Sequence, residues 1–422
     1  MSALNNNYKY TVYACYIGYI VQGIINNISP IFFVIYQKRL GISLDKIGIL
    51  IALNFGTQIL TDIIAAKYVD RIGYRKSMII AHISATIGIF GIGLFPLVFS
   101  NAFLGLVFAT ILNSIGGGLL EVLVSPIVES VPSKEKDKAM SMLHSFYCWG
   151  CVGFILISTL VLKFIGESYW YFIPFMWAII PFINIFMFSY VPINTLVEED
   201  ERVSIKFFFE KKIFWIIVIM MICAGASELG MSQWASYFAE IGLGVNKTVG
   251  DIMGPVFFSI MMGLTRLFYG KKGEVVNLEK FICISCLLCV LSYIMAAFSP
   301  YPIIGLLGCG LCGLSVGILW PGMFSIAAKN CKEGGTALFA ILAFAGDMGC
   351  VAGPQTVNII SSMFTDYGIK AGFMGAIVFP ILMIVLMIFS IKNNIFSYNK
   401  KNTWFLIRCF FIIYFLKYLQ KL

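Results

Sequence analysis

The sequence predicts an all-α integral membrane protein whose twelve transmembrane helices form two bundles of six. Its composition excludes a water-soluble domain, because 59% of the 422 residues are hydrophobic, only 12% are charged, and the mean hydropathy is +0.90. A soluble domain has about 25% charged residues. Apolar runs of about 18 residues or more indicate membrane-spanning helices, because about 20 helical residues cross a hydrocarbon core of roughly 30 Å. Barrel strands would need about ten residues of alternating polarity, which these runs do not show.

Twelve apolar runs follow one another along the chain. The first six are Tyr10–Tyr36, Ile47–Tyr68, Ser77–Ser100, Ala102–Val131, Ala139–Leu162 and Tyr169–Val191, and the second six are Ile213–Ile241, Val249–Tyr269, Phe281–Phe298, Ile303–Ala328, Thr336–Thr365 and Ile369–Ile391. The N-terminal MSALNNNYKY lacks the basic region and the cleavage pattern of a signal peptide, so run 1 is expected to be a retained helix. Residues 403–419 are apolar but interrupted by Arg408 and Lys417, which predicts an interfacial helix.

The distribution of lysine and arginine predicts the orientation in the membrane. With the N-terminus inside, few of the 30 basic residues fall in outer loops, namely Lys38, Arg39, Lys46, Lys163, Lys247 and Lys370. Lys and Arg favour short cytoplasmic loops, so both termini are expected in the cytoplasm. The chain is expected to reside in the inner or plasma membrane. The net charge of +9 has the same origin, since the basic residues are scattered over inner loops and do not form the single basic face that nucleic-acid binding would require. The twelve cysteines lie mostly inside the runs and are expected to be free thiols.

The longest hydrophilic stretch between two runs divides six runs from six. The predicted organisation is a first bundle at 1–191, a cytoplasmic linker at 192–212, a second bundle at 213–392 and a cytoplasmic or interfacial tail at 393–422. Internal repetition supports it, because Arg71 and Gly73 precede Lys271 and Gly273 by 200 positions, and Pro126 precedes Pro321 by 195. Transporters built from two parallel repeats show this kind of internal symmetry.

The turn between runs 2 and 3 carries the most specific motif, AKYVDRIGYRK, at residues 66–76. It resembles the signature between the second and third helices of the major facilitator superfamily, although the leading glycine of that signature is Ala66 here. The resemblance covers about residues 9–391 and implies the major facilitator fold. In a tight cytoplasmic turn Gly73 supplies backbone freedom and Arg71 and Arg75 hold the cytoplasmic side. The resemblance further implies a gating role for this turn, in which Asp70 meets the positive N-terminal end of a second-half helix; a purely structural turn is the alternative.

Run 4 contains the deepest acidic residue. Asn113, Gly117, Glu121 and Ser125 follow at four-residue spacing and share one helix face. An ionisable group near the bilayer centre costs about 2.5–3.5 kcal/mol on insertion scales, so Glu121 is a functional candidate. Leu120-Glu121 with Pro126, together with LHSFYCWG around His144, resembles the fucose-permease branch of sugar:proton symporters. That resemblance implies that Glu121 carries the coupled proton, with His144 beside it, whereas the alternative is a hydrogen bond to a neighbouring helix.

Run 1 departs from the fucose-permease pattern. That permease has an aspartate in its first helix, whereas no acidic residue precedes Asp45 in this chain, and run 1 presents Gln22, Asn26 and Asn27. Neutral amides can bond a sugar but cannot carry a proton. Fucose itself is therefore not expected, and proton coupling depends on Glu121.

Other polar and aromatic side chains are placed where they would line a substrate cavity. The predicted substrate-binding residues are Gln22, Asn26, Asn54, Gln58, Asn113, Glu228, Gln233, Trp234, Trp320 and Asp347. Asp62 follows Asn54 and Gln58 on the same face but is expected to be a polar helix-end residue. For Trp234 and Trp320, packing or a position at the lipid interface is the alternative. Arg266 is expected to pair with an acid across the bundle, with contact to the solute as the alternative, and it is grouped with the gating residues.

Several patterns exclude other functions. Gly308–Gly313 matches the dinucleotide pattern G-x-G-x-x-G but lies inside an apolar run without a preceding strand. Cys283, Cys286 and Cys289 lack the fourth cysteine of an iron–sulfur site. The sequence contains no Walker A lysine motif, which argues against an ATP-driven pump. The two histidines lie in separate runs, so no enzyme site, cofactor or metal is expected.

The sequence therefore predicts a secondary transporter that moves a small polar solute, with a sugar-like solute favoured, by proton-coupled symport and alternating access. The alternative is a proton-coupled efflux antiporter for drugs or metabolites. Two absences count against that alternative: run 4 lacks the arginine of drug antiporters in this superfamily, and run 5 lacks their glycine-proline signature. The expected partners are the solute, protons and the lipid bilayer, with no nucleic acid, and the chain is expected to act as a monomer.

Overall fold

The computed structural model describes residues 7–132, 136–193, 211–272, 276–330 and 335–393, and in these ranges the chain forms helices joined by short turns. We number the twelve long helices in chain order. Helices 1 to 6 are Tyr8–Leu40, Leu44–Ile72, Tyr74–Val98, Ala102–Ser130, Lys136–Ile165 and Phe172–Tyr190. Helices 7 to 12 are Lys212–Gly242, Lys247–Tyr269, Leu278–Phe298, Pro302–Ala327, Gly335–Met363 and Ile369–Lys392.

Each of the twelve predicted runs falls on one of these helices, and the predicted fold class is confirmed. Among the described residues, eleven helices are long and apolar enough to cross a membrane. The remaining one is helix 11, whose 29 residues would extend about 43 Å. Its apolar character is interrupted by Asp347, Gln355 and Asn358. The predicted linker and tail fall largely on residues 194–210 and 394–422, outside the described residues, so the predicted domain boundaries stay a prediction.

Short polar caps start several helices and keep the connections tight. Ser43 accepts a hydrogen bond from the backbone N–H of Lys46, and Asn101 accepts from the N–H groups of Phe103 and Leu104. Such side chains replace partners that the first turn of a helix lacks. Helices 2 and 3 are separated by Gly73 alone, at φ 91°, a conformation that favours glycine. Helices 2 and 3 are therefore joined by a single-residue turn.

Glycine allows close helix packing in both halves. Helices 7 and 11 approach so closely that a Cβ added at Gly349 would lie 2.1 Å from the carbonyl oxygen of Ile222, and one at Gly353 would lie 2.2 Å from that of Ala226. Lipid tails are as apolar as leucine, so helices in a membrane associate through such close contacts and not through the hydrophobic effect.

The two halves of the chain are bound together at one end of the molecule. We call this end the distal end; it carries the loops at 41–43, 243–246 and 364–368. The opposite end, where Tyr8 begins helix 1, is the proximal end. At the distal end Ser362 donates to Asp45 at 2.8 Å, and Lys38 Nζ pairs with Glu240 Oε1 at 2.8 Å. Gly48 of helix 2 permits the closest approach, since a Cβ there would meet the Asn358 amide at 2.2 Å.

Candidate functional site

A cluster of four amide side chains joins helices 1 and 2 near the middle of the first half. We call Gln22, Asn26, Asn54 and Gln58 the amide network. Gln22 Nε2 donates to Gln58 Oε1 at 2.9 Å, Gln58 Nε2 donates to Asn26 Oδ1 at 3.0 Å, and Asn54 Nδ2 reaches the same Asn26 oxygen at 3.5 Å. All four side chains are buried. Four-residue spacing, which predicts a shared face for Asn54 and Gln58 and which Gln22 and Asn26 also have, brings these residues into one hydrogen-bonded group.

Glu121 of helix 4 is bound to this network. Gln22 Nε2 donates to Glu121 Oε2 at 3.2 Å, in addition to its bond with Gln58. One turn further along the same face, Ser125 shares a hydrogen bond of 2.9 Å with the Tyr19 hydroxyl. The Tyr19 ring in turn meets the His144 ring edge-on, with centroids 5.4 Å apart. His144 is exposed and lies next to Tyr19, and its predicted part in proton coupling stays a prediction.

Three consecutive glycines in helix 4 create the room for this arrangement. A Cβ at Gly117 would lie 3.0 Å from Gln58 Oε1, and one at Gly118 would lie 2.9 Å from Asp62 Oδ1. On the other side, a Cβ at Gly116 would lie 2.7 Å from the carbonyl oxygen of Ala81 in helix 3. Helix 2 thus packs closely on Gly117 and Gly118, and helix 3 packs on Gly116, which places polar side chains of helix 2 beside the turn that carries Glu121.

Asp62 is the main correction to the sequence analysis. The sequence favours a polar helix-end position for Asp62, but helix 2 continues to Ile72, and the Asp62 side chain is partly buried. Its carboxyl group lies within hydrogen-bonding range of Asp347 in helix 11, and both interact electrostatically with Glu121. One oxygen of each, Asp62 Oδ1 and Asp347 Oδ2, is buried without a protein partner. We call Asp62 and Asp347 the carboxyl pair; it joins the first half of the chain to the second.

The second half contributes an ion pair to the same region. Arg266 of helix 8 pairs with Glu228 of helix 7, with Nη2 and Oε2 3.3 Å apart. Arg266 Nη1 also lies 3.6 Å from the Cys148 sulfur of helix 5 in the first half. Gln233 of helix 7 donates to the backbone oxygen of Asn26 at 3.0 Å, which is a further link between the halves.

The remaining predicted site residues lie outside the amide network. Asn113 donates to the backbone oxygen of Ile25 at 3.4 Å. Trp234 is fully buried, donates to the Pro354 oxygen at 3.2 Å and packs on the Phe33 ring, which corresponds to the packing alternative. Trp320 is partly exposed and covers helix 11 next to the carboxyl pair, since a Cβ at Gly346 would meet its ring at 2.2 Å.

The predicted gating turn has a defined anchor. Arg75 donates to the backbone oxygens of Phe188 and Val191 at 2.8 Å each, so it binds the end of helix 6. Arg71 is exposed. The Asp70 side chain lies outside the described residues, so its proposed contact stays a prediction.

Residues 15–354 match the Major Facilitator Superfamily. The chain belongs to this superfamily. Its members are transporters, which are in general not enzymes, and the chain is a multi-pass membrane protein. It is 20% identical over 369 residues to the multi-drug resistance efflux pump PmrA of Streptococcus pneumoniae, covering 85% of this chain and 91% of that protein.

Solved structures confirm the fold. A bacterial homologue of the human lysosomal transporter Spinster, in an inward-facing and occupied conformation, superposes with a TM-score of 0.72 at 14% identity over 91% of this chain and 97% of that one. The xylose transporter XylE of E. coli gives a TM-score of 0.72 at 13% identity, covering 90% and 96%. The E. coli fucose:proton symporter FucP gives 0.62 at 12%, covering 90% and 98%. These similarities do not single out the fucose-permease branch, so that finer resemblance stays a hypothesis.

Proposed function

We propose that the protein is a proton-coupled secondary transporter of a small, hydroxyl-bearing polar solute, and that the amide network binds the solute while Glu121 carries the proton. The observation that supports this most directly is the double hydrogen bond of Gln22 to Gln58 and Glu121. One amide group is shared between the uncharged polar network and the acidic residue. A change of protonation at Glu121 therefore acts directly on the network.

The chemistry of the network favours an uncharged, hydroxylated solute. Amide side chains offer both donors and acceptors without charge, which matches hydroxyl groups. An ionised Glu121 accepts from Gln22 and holds that amide in place. A protonated Glu121 is itself a donor, so Gln22 is released and its Nε2 can bond the solute. Solute binding and proton binding then favour each other, which is the requirement for symport.

Alternating access follows from the two halves. With both termini in the cytoplasm, as the lysine and arginine distribution predicts, the distal end faces outward, and the contacts of Lys38 with Glu240 and of Asp45 with Ser362 close it. In this reading the present conformation gives the cytoplasm access to the site. We propose that one chain contains a complete pathway and acts as a monomer.

Uptake into proteoliposomes tests the proposal. Purified protein would be tested against a panel of sugars and amino acids, with and without an imposed proton gradient, as wild type and as Glu121→Gln. Glutamine keeps an oxygen that accepts from Gln22 but cannot release a proton. We expect gradient-driven accumulation to be lost, while exchange of labelled for unlabelled solute continues without a gradient.

Glu279→Gln is the matched control, because Glu279 lies in the first turn of helix 9, away from the network. It is expected to accumulate solute as the wild type does. Gradient-driven accumulation that survives Glu121→Gln unchanged would remove the proton-carrier assignment.

Efflux by proton antiport is the second candidate, and the similarity to a multi-drug resistance efflux pump over 85% of the chain favours it. The carboxyl groups of Asp62, Glu121 and Asp347 would suit a cationic compound. Inverted vesicles distinguish the two candidates. Proton-driven accumulation of a cationic dye such as ethidium, without uptake of any sugar, would establish efflux in place of symport.

A further inference from the structure

A charged group with no place in the sequence analysis lies buried at the distal end. Asp251 of helix 8 has no exposed surface. Its Oδ2 accepts from the Thr159 hydroxyl of helix 5 at 2.9 Å, and its Oδ1 accepts from the Ser236 hydroxyl of helix 7. Thr159 belongs to the first half of the chain and Ser236 to the second. The carboxylate therefore joins the halves through hydrogen bonds that leave neither oxygen without a donor.

Lys247 completes the contact from the preceding turn. Its Nζ lies 3.2 Å from Asp251 Oδ2 and donates to the backbone oxygen of Ile31 at 2.6 Å. Ile31 belongs to the 3₁₀ turn Pro30–Phe32 that interrupts helix 1. A single ion pair of the second half thus binds two different helices of the first half, helix 5 through Asp251 and helix 1 through Lys247.

The backbone around this ion pair is unusual. A π-helical turn, Ile252–Val256, begins directly after Asp251, and another, Phe238–Gly242, follows Ser236 closely. Single π turns shift the direction of the side chains beside them and frequently occur at functional sites. Pro255 lies inside the first of them and has no N–H to offer. The backbone is therefore irregular beside both second-half residues of this contact, Ser236 and Asp251.

The exposed ion pair at this end is a weaker connection. The Lys38 side chain is 56% exposed, whereas those of Lys247 and Asp251 are 11% and 1% exposed. Exposed pairs gain little, because water competes for both charges. Lys247 and Asp251 lie four residues apart on helix 8 and stay together when the halves separate, whereas their bonds to Ile31 and Thr159 do not. Separation of the halves at the distal end must therefore break the bond of Asp251 to Thr159 and that of Lys247 to Ile31, and it exposes both buried charges to water.

We propose that Lys247 and Asp251 form a latch that holds the distal end closed, and that its opening is a required step in the transport cycle. The inference rests on alternating access, which is part of the proposed function, but on neither the solute nor the proton. On separation, Asp251 loses the Thr159 hydroxyl and Lys247 loses the Ile31 oxygen, and water replaces both partners. The two states are thus a dry, fully bonded latch and a hydrated, open one, which gives the helices two discrete positions and not a continuous range.

Hydrogen–deuterium exchange of the purified full-length protein tests the latch without a substrate. We compare wild type with Asp251→Asn, which keeps the size of the side chain but removes its charge. Peptides covering residues 28–44 and 236–256 are expected to exchange at least about fivefold faster, because the distal end opens more often. Peptides covering residues 68–80 at the proximal end are expected to exchange more slowly, because alternating access closes that end when the distal end opens.

Asp366→Asn is the matched control, since Asp366 is an exposed aspartate in the distal turn 364–368; its exchange should match the wild type. Thr159→Val removes one hydrogen bond and no charge, so it should give a smaller change in the same direction, and it serves if Asp251→Asn does not fold.

Unchanged exchange at the distal end in both variants would overturn the latch. Faster exchange at both ends would also overturn it, because it would show loosening without a shift between states. If the exchange results support the latch but proteoliposomes show no proton-driven uptake, the proposed proton coupling is refuted and the latch is not.

Discussion

Gln22 of helix 1 donates one hydrogen bond to Glu121 of helix 4 and another to Gln58 of helix 2, at 3.2 and 2.9 Å. The first prediction follows from this pair. Gln22→Leu removes the shared donor, and a hydrogen bond to a charged group contributes about 1.5–3 kcal/mol. We expect the KM for the transported solute to rise about tenfold or more, as measured by initial uptake rates. Asn27→Ala is the control, because Asn27 bonds Gly23 and Cys151, outside the amide network; an equal rise in KM there would show a general effect on helix 1.

The second prediction concerns the glycine face of helix 4. A Cβ at Gly118 would lie 2.8 Å from Thr61 Cβ and 2.9 Å from Asp62 Oδ1, so Gly118→Val forces helices 2 and 4 apart. We expect a lower melting temperature, because overpacking typically costs about 1–3 kcal/mol, and a loss of uptake. A thiol-reactive fluorophore suits the measurement, because the free cysteines among the described residues are buried and react only on unfolding. Gly56→Ala in helix 2, where a Cβ would meet nothing within 4 Å, should leave the melting temperature unchanged or raise it.

The sequence predicts the helices and part of the site, because these features depend on residues that are close together in the chain. Four-residue spacing places Asn54 and Gln58 on one face, and the cost of a charge in lipid identifies Glu121. It fails for Asp62, although the predicted run continues past this residue to Tyr68, because neither spacing nor hydropathy reveals that its partner is Asp347 of helix 11.

Asp251 was missed for a different reason. It lies near the start of its predicted run, where an acidic residue is unremarkable in sequence. Its partner Thr159 is 92 positions away, so only the packing of helix 5 against helix 8 reveals the contact. The role of Trp234 also depends on residues that are distant in the sequence. Its contacts with Phe33 and Pro354 show that it is a packing residue, and the sequence alone does not distinguish it from a residue that stacks on the solute.

The third prediction concerns the Arg266–Glu228 ion pair, whose side chains are 16% and 9% exposed. Loss of one partner of a buried pair costs about 3–5 kcal/mol, because the other charge stays buried without compensation. Glu228→Gln and Arg266→Met should each lower the melting temperature more than their combination does. A double-mutant cycle of thermal unfolding measures this. Additive effects would show that the two side chains do not stabilise each other.

Arg75 is the subject of the fourth prediction. It binds two backbone oxygens at the end of helix 6 with both terminal nitrogens of its guanidinium group. Lysine offers a single ammonium group and cannot reproduce this geometry. We therefore expect Arg75→Lys to lower stability by about 1–2 kcal/mol, in thermal unfolding of the purified protein. Lys76→Ala, at an exposed position in the same turn, should have no such effect, and equal losses in both variants would assign the change to the charge of the turn.

The carboxyl pair of Asp62 and Asp347 yields the fifth prediction, a dependence on pH. Two carboxyl groups can hydrogen bond only if one of them holds a proton. When both are ionised they repel each other, and Glu121, the acidic group that faces them from helix 4, adds to the repulsion. Raising the pH should therefore separate helices 2 and 11, whereas lowering it should bring them together.

Spin labels on cysteines introduced at Ile63 and Ile359, both 53% exposed, would report the distance between these helices. In wild type we expect the distance to be longer at alkaline pH than at acidic pH, because the pair shares a proton only when one carboxyl group is protonated. In Asp62→Asn the amide donates to Asp347 at every pH, so the distance should stay short and constant. Asp366→Asn should behave as wild type does. A distance that responds to pH in Asp62→Asn as strongly as in wild type would place the responsible proton elsewhere, with Glu121 the next residue to substitute.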